Sequence, residues 1–360
     1  MRFQQVTGPI MAKGLEDTMF YVYNRLVSLN EVGGNPEQFG TFLEAFHGKN
    51  MEVVKSAPYS QIATSTHDTK HSEDARARLN VLSEIPGEWR ERLDRWSGFN
   101  KRKRSFVHGR PVPDRNEEYL LYQTLLSVWP FSWSANREYE VLKTRIKDYM
   151  VKAVREGKIN SNWITPDKPY EEAVSQFVDR ILSRLCVNPF MDDFVPFAAK
   201  ISYFGIFNAL SQTLLKTVSP GVPDFYQGTE LWDFSLVDPD NRKPVDFKIR
   251  MRSLERLAKE ATDQSKGLKR LVKQLLREWQ HGEIKLYVTF MSLNYRNENQ
   301  DLFKHGLYIP LSAEGGANER ACVFVRLLQD KAVLAAVPRF LTRLLKDINE
   351  MPLGENVWGE

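Results

Sequence analysis

Apolar side chains recur every three or four positions over much of this chain, and that spacing predicts helices. Residues 15–29 place Leu15, Met19, Tyr23, Leu26 and Val27 on one face. Asn35-Pro36 reads as an N-cap followed by proline at the first helical position, with Phe39, Phe42, Leu43 and Phe46 at helical spacing behind it. Trp89, Leu93 and Trp96 mark a helix after Pro86, and 115–129, 137–156 and 169–185 are further helices. Residues 190–217 form a long apolar helix, whole or broken, that ends before Pro220-Gly221.

Two short runs have a different texture. Residues 60–66 are small and mostly apolar, as suits a buried strand of a parallel sheet, and Val222 to Tyr226 predict a second such strand. Ser72, Glu73 and Asp74 then open a helix with a cap and first-turn acids. Past Pro239 two basic amphipathic helices (247–261 and 265–281) lead to a third, 283–296. Strand-like runs follow at 306–311, 321–328 and 332–337, the last two joined by a hairpin-length link at Gln329-Asp330-Lys331. The order of elements is α/β with a β-rich tail.

Composition narrows the function classes. The chain has 360 residues, 42% hydrophobic and 27% charged, which is the profile of a globular protein of about two domains. A net charge of +4 is too mild to call for a polyanionic partner, and the run Lys101-Arg102-Lys103-Arg104 reads as a solvated loop rather than a nucleic-acid patch. Cys186 and Cys322 lie far apart, with no metal-ligand spacing and no disulfide framework, which fits a reducing cytoplasm. No apolar signal core opens the sequence and no run of 18 apolar residues spans a membrane. Aromatic residues reach 12%, serving either cores or flat sugar-binding platforms.

The sharpest local chemistry is Thr66-His67-Asp68-Thr69-Lys70, directly after the first strand. Side chains at the C-terminal ends of parallel strands face the ligand. There a carboxylate can hold sugar hydroxyls or steady an oxocarbenium-like charge, an imidazole can donate to a further hydroxyl, and a lysine can add a donor at the rim. The plainer alternative is that Asp68 caps a turn. Lys13, Glu16 and Asp17 stand equally open between a solvated helix start and a site. No phosphate-cradling glycine loop, zinc spacing or Gly-x-Ser-x-Gly elbow is present, and His47, His108, His281 and His305 are isolated.

At these residues the chain resembles a known family. Residues 1–34, 62–78 (IATSTHDTKHSEDARAR), 114–130 (DRNEEYLLYQTLLSVWP) and 220–246 (PGVPDFYQGTELWDFSLVDPDNRKPVDF) resemble maltooligosyltrehalose synthase, of the α-amylase superfamily, in family order through Pro352-Leu353-Gly354. The resemblance implies the C-terminal portion of a (β/α)8 TIM barrel with large helical insertions, plus a C-terminal β-rich domain. The division it implies is a barrel part over 1–246, largely helical at about 80–217, a helical connection over 247–298, and a β domain over 299–360. His67-Asp68 resembles the segment at barrel strand seven, and Pro220 to Glu230 the segment at strand eight.

The activity implied is an intramolecular transglucosylation with retention. The α-1,4 bond to the reducing-end glucose of a maltooligosaccharide is cleaved, and that glucose is rejoined through an α,α-1,1 bond, with no cofactor and no metal. Asp68 matches the third catalytic acid and His67 its sugar-hydroxyl donor. Lys13 and Lys70 match lysines that hold the reducing-end glucose, with Glu16 and Tyr21 in the lining. The nucleophile and acid/base carboxyls come from strands four and five, so the missing N-terminal half of the barrel is an expected partner and the chain alone is expected to be inactive and poorly stable. Two positions depart from the pattern: His71 and Val22 stand where arginine is expected. An amylase or 4-α-glucanotransferase, and a non-catalytic glucan-binding protein, are the rival readings.

Overall fold

The computed structural model describes residues 2–133, 135–185, 187–262, 267–316 and 318–359. Cys186 and the first residues of the helix expected over 265–281 lie outside them.

A short helix α1 (Arg2–Pro9) runs into one wide helical turn, Ile10–Glu16, and irregular chain follows to α2 (Leu43–Ser56). The helix expected over 15–29 does not form there. Its backbone groups are taken by side chains instead: the Asn30 amide donates to the carbonyls of Phe20 and Tyr23, and Gln123 Oε1 accepts the Val27 N–H at 2.9 Å. The helix expected from Asn35-Pro36 starts only at Leu43, because Gly40 stands at φ +85°, which no right-handed helix accommodates.

Strand β1 (Gln61–Ile62) precedes α3 (Glu73–Asn80) and α4 (Pro86–Asn100), the hairpin β2 (Ser105–Val107) and β3 (Arg110–Val112), and then α5 (Arg115–Val128), α6 (Asn136–Gly157), α7 (Lys168–Ile181) and α8 (Pro189–Val218). Strand β4 (Val222–Pro223) returns parallel to β1, with Gln61 opposite Val222 and Ile62 opposite Pro223. A parallel pair needs such a crossover, here an extended helical one. Both strands fall where the sequence places them but are shorter and less buried than expected. Val222 is 47% exposed, because only two strands pair and both outer edges are open.

Local chemistry explains the helices. Asp114 and Glu117 form a reciprocal capping box on α5, each carboxylate accepting the other's N–H. Asp167 caps α7. Helix α8 is a single 30-residue helix despite Pro196, and its apolar residues on all sides place it at the centre of the core. Trp96 of α4 is fully buried against Tyr122, Phe190, Phe194 and Phe197, with its indole N–H donated to Asp193 at 2.7 Å. Gly205 is required where α8 crosses α3, since a Cβ there would stand 2.9 Å from Arg78 Cα. The basic run is partly structural: Arg104 pairs with the buried Glu118.

Glu73 and Asp74, read from sequence as first-turn acids, are buried in an ion network. Lys285 Nζ lies 2.8 Å from Glu73 Oε1 and 2.8 Å from Asp74 Oδ2, and Lys216 lies 3.2 Å from Glu73 Oε2. Burial pushes both carboxyls up. The two lysines outweigh it at Glu73 and hold that group below the usual carboxylate range, whereas Asp74, beside the Glu73 charge, stays raised.

Helices α9 (Phe247–Thr262), α10 (Leu268–Arg277), α11 (Glu283–Glu298) and α12 (Gln300–His305) lead to an antiparallel sheet of β5 (Leu307–Leu311), β6 (Ala321–Leu328) and β7 (Lys331–Pro338), in the order β5-β6-β7. His47 of α2 meets this sheet through the Tyr308 hydroxyl at 2.7 Å. The chain then folds back on the main core through Leu341 and Leu345 before α13 (Glu355–Trp358).

Candidate active site

The turn after β1 presents His67 and Asp68 outward. Thr66 and Thr69 close it, with the Thr66 N–H donated to Thr69 Oγ1 at 2.6 Å and the Asp68 N–H to Thr66 Oγ1 at 3.2 Å. Two anchors fix it from either side. The buried carboxylate of Glu31 accepts the N–H groups of Lys70 and His71, and the Asn241 amide donates to the His67 carbonyl at 3.0 Å. Asn241 belongs to the loop after β4, so the two strand ends are knitted together. Ser72 adds to this by pairing with Asp233 and Ser235.

Asp68 keeps its carboxylate 60% exposed. Its neighbours are His67 Nε2 at 3.3 Å and the guanidinium of Arg242, whose Nη2 lies 3.9 Å away. Lys70 turns inward, with only 8% of its side chain exposed, and donates to Asp17 Oδ1 at 2.7 Å. Lys13 donates to the other oxygen of Asp17 at 2.5 Å. Burial pushes the Asp17 carboxyl up, but the hydrogen bonds from Lys13 and Lys70 win, and it is held below the usual carboxylate range. The same hydrogen bond raises the Lys13 ammonium. Glu16 accepts the Gly33 N–H at 3.1 Å. The Tyr21 ring lies 5.7 Å from Lys70 Nζ, and its buried hydroxyl has no partner; burial raises that hydroxyl well above its ordinary pKa.

These groups share one cavity of about 320 Å³. Asp68, Lys70, Lys13, Glu16 and Tyr21 all line it, so the structure brings together five of the six residues singled out by sequence; His67 is not in the lining, and its ring lies against Asp68, with Nε2 3.3 Å from the carboxylate. Asp17 lines the cavity with them. Lys152 and Glu156 of α6 and Asp238 of the β4 loop complete the wall, and sequence reasoning missed all three. Asp238 sat inside a quoted block, VDPDNR, and was within reach. Lys152 and Glu156 look like any polar face of a helix and gave no signal. Eight of the eleven lining residues carry charge, three lysines against five carboxylates. Such interleaved donors and acceptors suit a neutral polyhydroxylated ligand. Among the described residues no group of three or more His, Cys, Asp or Glu is placed to hold a metal ion. No helix among them is long and apolar enough to cross a membrane.

No family model matches the chain. In two strains of Mycobacterium tuberculosis a protein provisionally named maltooligosyl trehalose synthase is 34% identical to it over 361 residues, 99% of this chain and 41% of the relative. Along nearly its whole length the chain is similar to maltooligosyltrehalose synthases. It spans about two fifths of the length of the curated relatives it matches, 41%. Solved structures agree. A crystal structure of a maltooligosyl trehalose synthase superposes with a TM-score of 0.77 at 36% identity, covering 93% of this chain and 42% of that one. A hypothetical maltooligosyl trehalose synthase of Sulfolobus tokodaii gives 0.75 at 36% identity, with 93% and 41% covered. The maltooligosyltrehalose synthase of Arthrobacter ramosus gives 0.74 at 34%, with 95% and 40% covered.

The two departures from the maltooligosyltrehalose synthase pattern have distinct settings. The His71 ring is buried edge-on to Tyr149, neither nitrogen has a partner, and burial next to Arg76 lowers it to about 3, so it is a neutral packing group. Val22 packs beside Gly157 at the end of α6, and its carbonyl accepts from Asn116.

Proposed function

We propose that this chain carries the acceptor side of a maltooligosyltrehalose synthase active site. In this reading residues 1–246 are the C-terminal part of a (β/α)8 barrel, with β1 and β4 as its strands seven and eight, followed by a helical connection over 247–298 and a β domain over 299–360. The observation that carries it is the convergence of Lys13, from the N-terminal segment, with Asp68 and Lys70, from the turn after β1, on one cavity. The open edges of β1 and β4 are where the remaining strands pair.

The roles follow from chemistry. A retaining reaction needs a nucleophilic carboxylate and an acid/base carboxyl about 5–5.5 Å apart; both are contributed by polypeptide outside this chain. Asp68, with its carboxylate 60% exposed, is placed to accept hydroxyls of the distorted sugar and to stabilise positive charge at its anomeric carbon. His67 donates to a neighbouring hydroxyl. Lys13 and Lys70, aligned by Asp17, hold the reducing-end glucose with Glu16 and Tyr21 while it turns to offer its anomeric hydroxyl. Water competes for the glycosyl intermediate, and a closed acceptor pocket favours the sugar by proximity and by excluding solvent.

The test is product analysis with maltopentaose. The chain alone is expected to give no turnover. Joined to the strands that complete the barrel, it is expected to give a non-reducing maltooligosyltrehalose, and Asp68→Asn to lower that rate at least ~100-fold. A rate near that of the unmodified enzyme removes Asp68 from the mechanism, and shorter maltooligosaccharides as the main product point to an amylase or glucanotransferase.

A further inference from the structure

We propose that Glu156, working with the Tyr21 hydroxyl, is a specificity-determining contact for the glucose unit in this cavity; the inference rests on the acceptor-site reading above. Glu156 occupies the last turn of α6, where the partial negative charge of the helix end disfavours a carboxylate. It has no hydrogen bond or ion pair among the described residues, yet it lines the cavity and raises the Lys13 ammonium across it. An anion kept at an unfavourable helix position, without an internal partner, has its partner in what enters the cavity.

Its position is fixed from both sides. One turn earlier, Lys152 donates to the carbonyl and carboxylate of Asp238 at 2.7 and 2.8 Å. Two residues later, Lys158 donates to Thr18 Oγ1 at 3.0 Å. The end of α6 is thereby held between the loop that carries Lys13 and the loop that follows β4. The other acids of the cavity are otherwise engaged: Asp17 by two lysines, Asp238 by Lys152, Glu16 by the Gly33 amide, while Asp68 is the catalytic group.

The Tyr21 hydroxyl is the independent sign of a ligand. It is buried without a partner among the described residues, Tyr21 lines the same cavity, and a buried unpaired hydroxyl is costly until something fills its hydrogen bond. A sugar hydroxyl that donates to Glu156 and accepts from Tyr21 satisfies both groups at once. A deoxy or O-methylated sugar at that position leaves both unpaired.

The experiment is saturation-transfer NMR titration of the full chain, at low micromolar protein, with maltopentaose and with D-glucose. Wild type, Glu156→Gln, Glu156→Asp and Tyr21→Phe are compared, each with a thermal melt. The expected result is binding of both sugars by wild type, about tenfold weaker or worse in Glu156→Gln, weaker in Tyr21→Phe, and partly retained in Glu156→Asp. The melting temperature of Glu156→Gln is expected to be unchanged or higher, since a carboxylate leaves an unfavourable helix end. Binding by wild type with equal affinity in Glu156→Gln overturns the role of Glu156 and leaves the acceptor site standing. No binding of either sugar by wild type overturns both.

Discussion

The carboxylate of Asp17 lies 2.7 Å from the ammonium of Lys70, across 53 positions of sequence. This contact joins the N-terminal segment to the turn after β1, and it leaves the Lys70 side chain only 8% exposed. Asp17→Asn removes the anion and strands the ammonium. The expected loss is about 1–3 kcal/mol in a urea titration. The Asp17 carboxyl is depressed in the folded chain, so its stabilisation is present above the ordinary carboxylate range and fades as pH falls through the depressed value. Asp17→Asn is expected to flatten that limb; an unchanged acid limb would show that the pair contributes nothing.

The buried network around Glu73 and Asp74 makes a stronger demand. Lys285 is fully buried and serves both acids, so Lys285→Met leaves two buried carboxylates with Lys216 alone. A loss of about 3–5 kcal/mol is expected, with Lys285→Met/Asp74→Leu recovering part of it, as measured by a double-mutant cycle in guanidinium.

Glu171 gives a sharper acid signature. Hydrogen bonds from Arg155, each 2.7 Å, hold its carboxyl at about 2, below the 4.5 of an unperturbed glutamate. The lowered value means the stabilisation is complete above about 4.5 and is lost as pH falls toward 2. Glu171→Gln is expected to lose stability at neutral pH and to vary less than wild type across that window. Parallel melting curves for the two proteins from pH 5 to pH 2 would contradict it.

The open edges of β1 and β4 are expected to drive self-association, because unpaired strand groups and apolar surface meet there. A groove of about 880 Å³ that includes Ile62, Leu26 and Phe39 runs along β1. Val222→Lys, at a 47% exposed position of β4, is expected to lower the apparent mass of the chain in light scattering without lowering its melting temperature. A monomer in both proteins would sink the idea.

Legibility in the sequence divides along physical lines. Trp89, Leu93 and Trp96, or the capping acids Asp114 and Glu117, act through neighbours three or four residues away, so their helix is written locally. The stretch around Tyr21 to Val27 carries the same periodicity, yet Gln123 and Asn30 capture its backbone groups and no helix forms. Gln123 lies 96 positions from Val27, Asn30 stands just past the end of the stretch, and no periodicity reports either. The site shows the same split. His67-Asp68 and Lys70 stand in a recognisable block after a strand, and Lys13, Glu16 and Tyr21 in another. Lys152 and Glu156 reach the cavity only because α6 is packed across it, and their i, i+4 spacing is equally that of a solvated face. The buried pairing of Glu73 and Asp74 was hidden because helix-start acids are ordinarily solvated.

The turn bearing His67 and Asp68 takes its shape from Glu31 below and Asn241 beside it, two residues of this same polypeptide. Its curvature is therefore set by contacts within this chain, 39 and 174 positions away in sequence. Under the acceptor-site proposal, a split enzyme reconstituted from two separately made pieces would receive this lobe with the turn of His67 and Asp68 already formed, and only the seam between the pieces would have to be engineered.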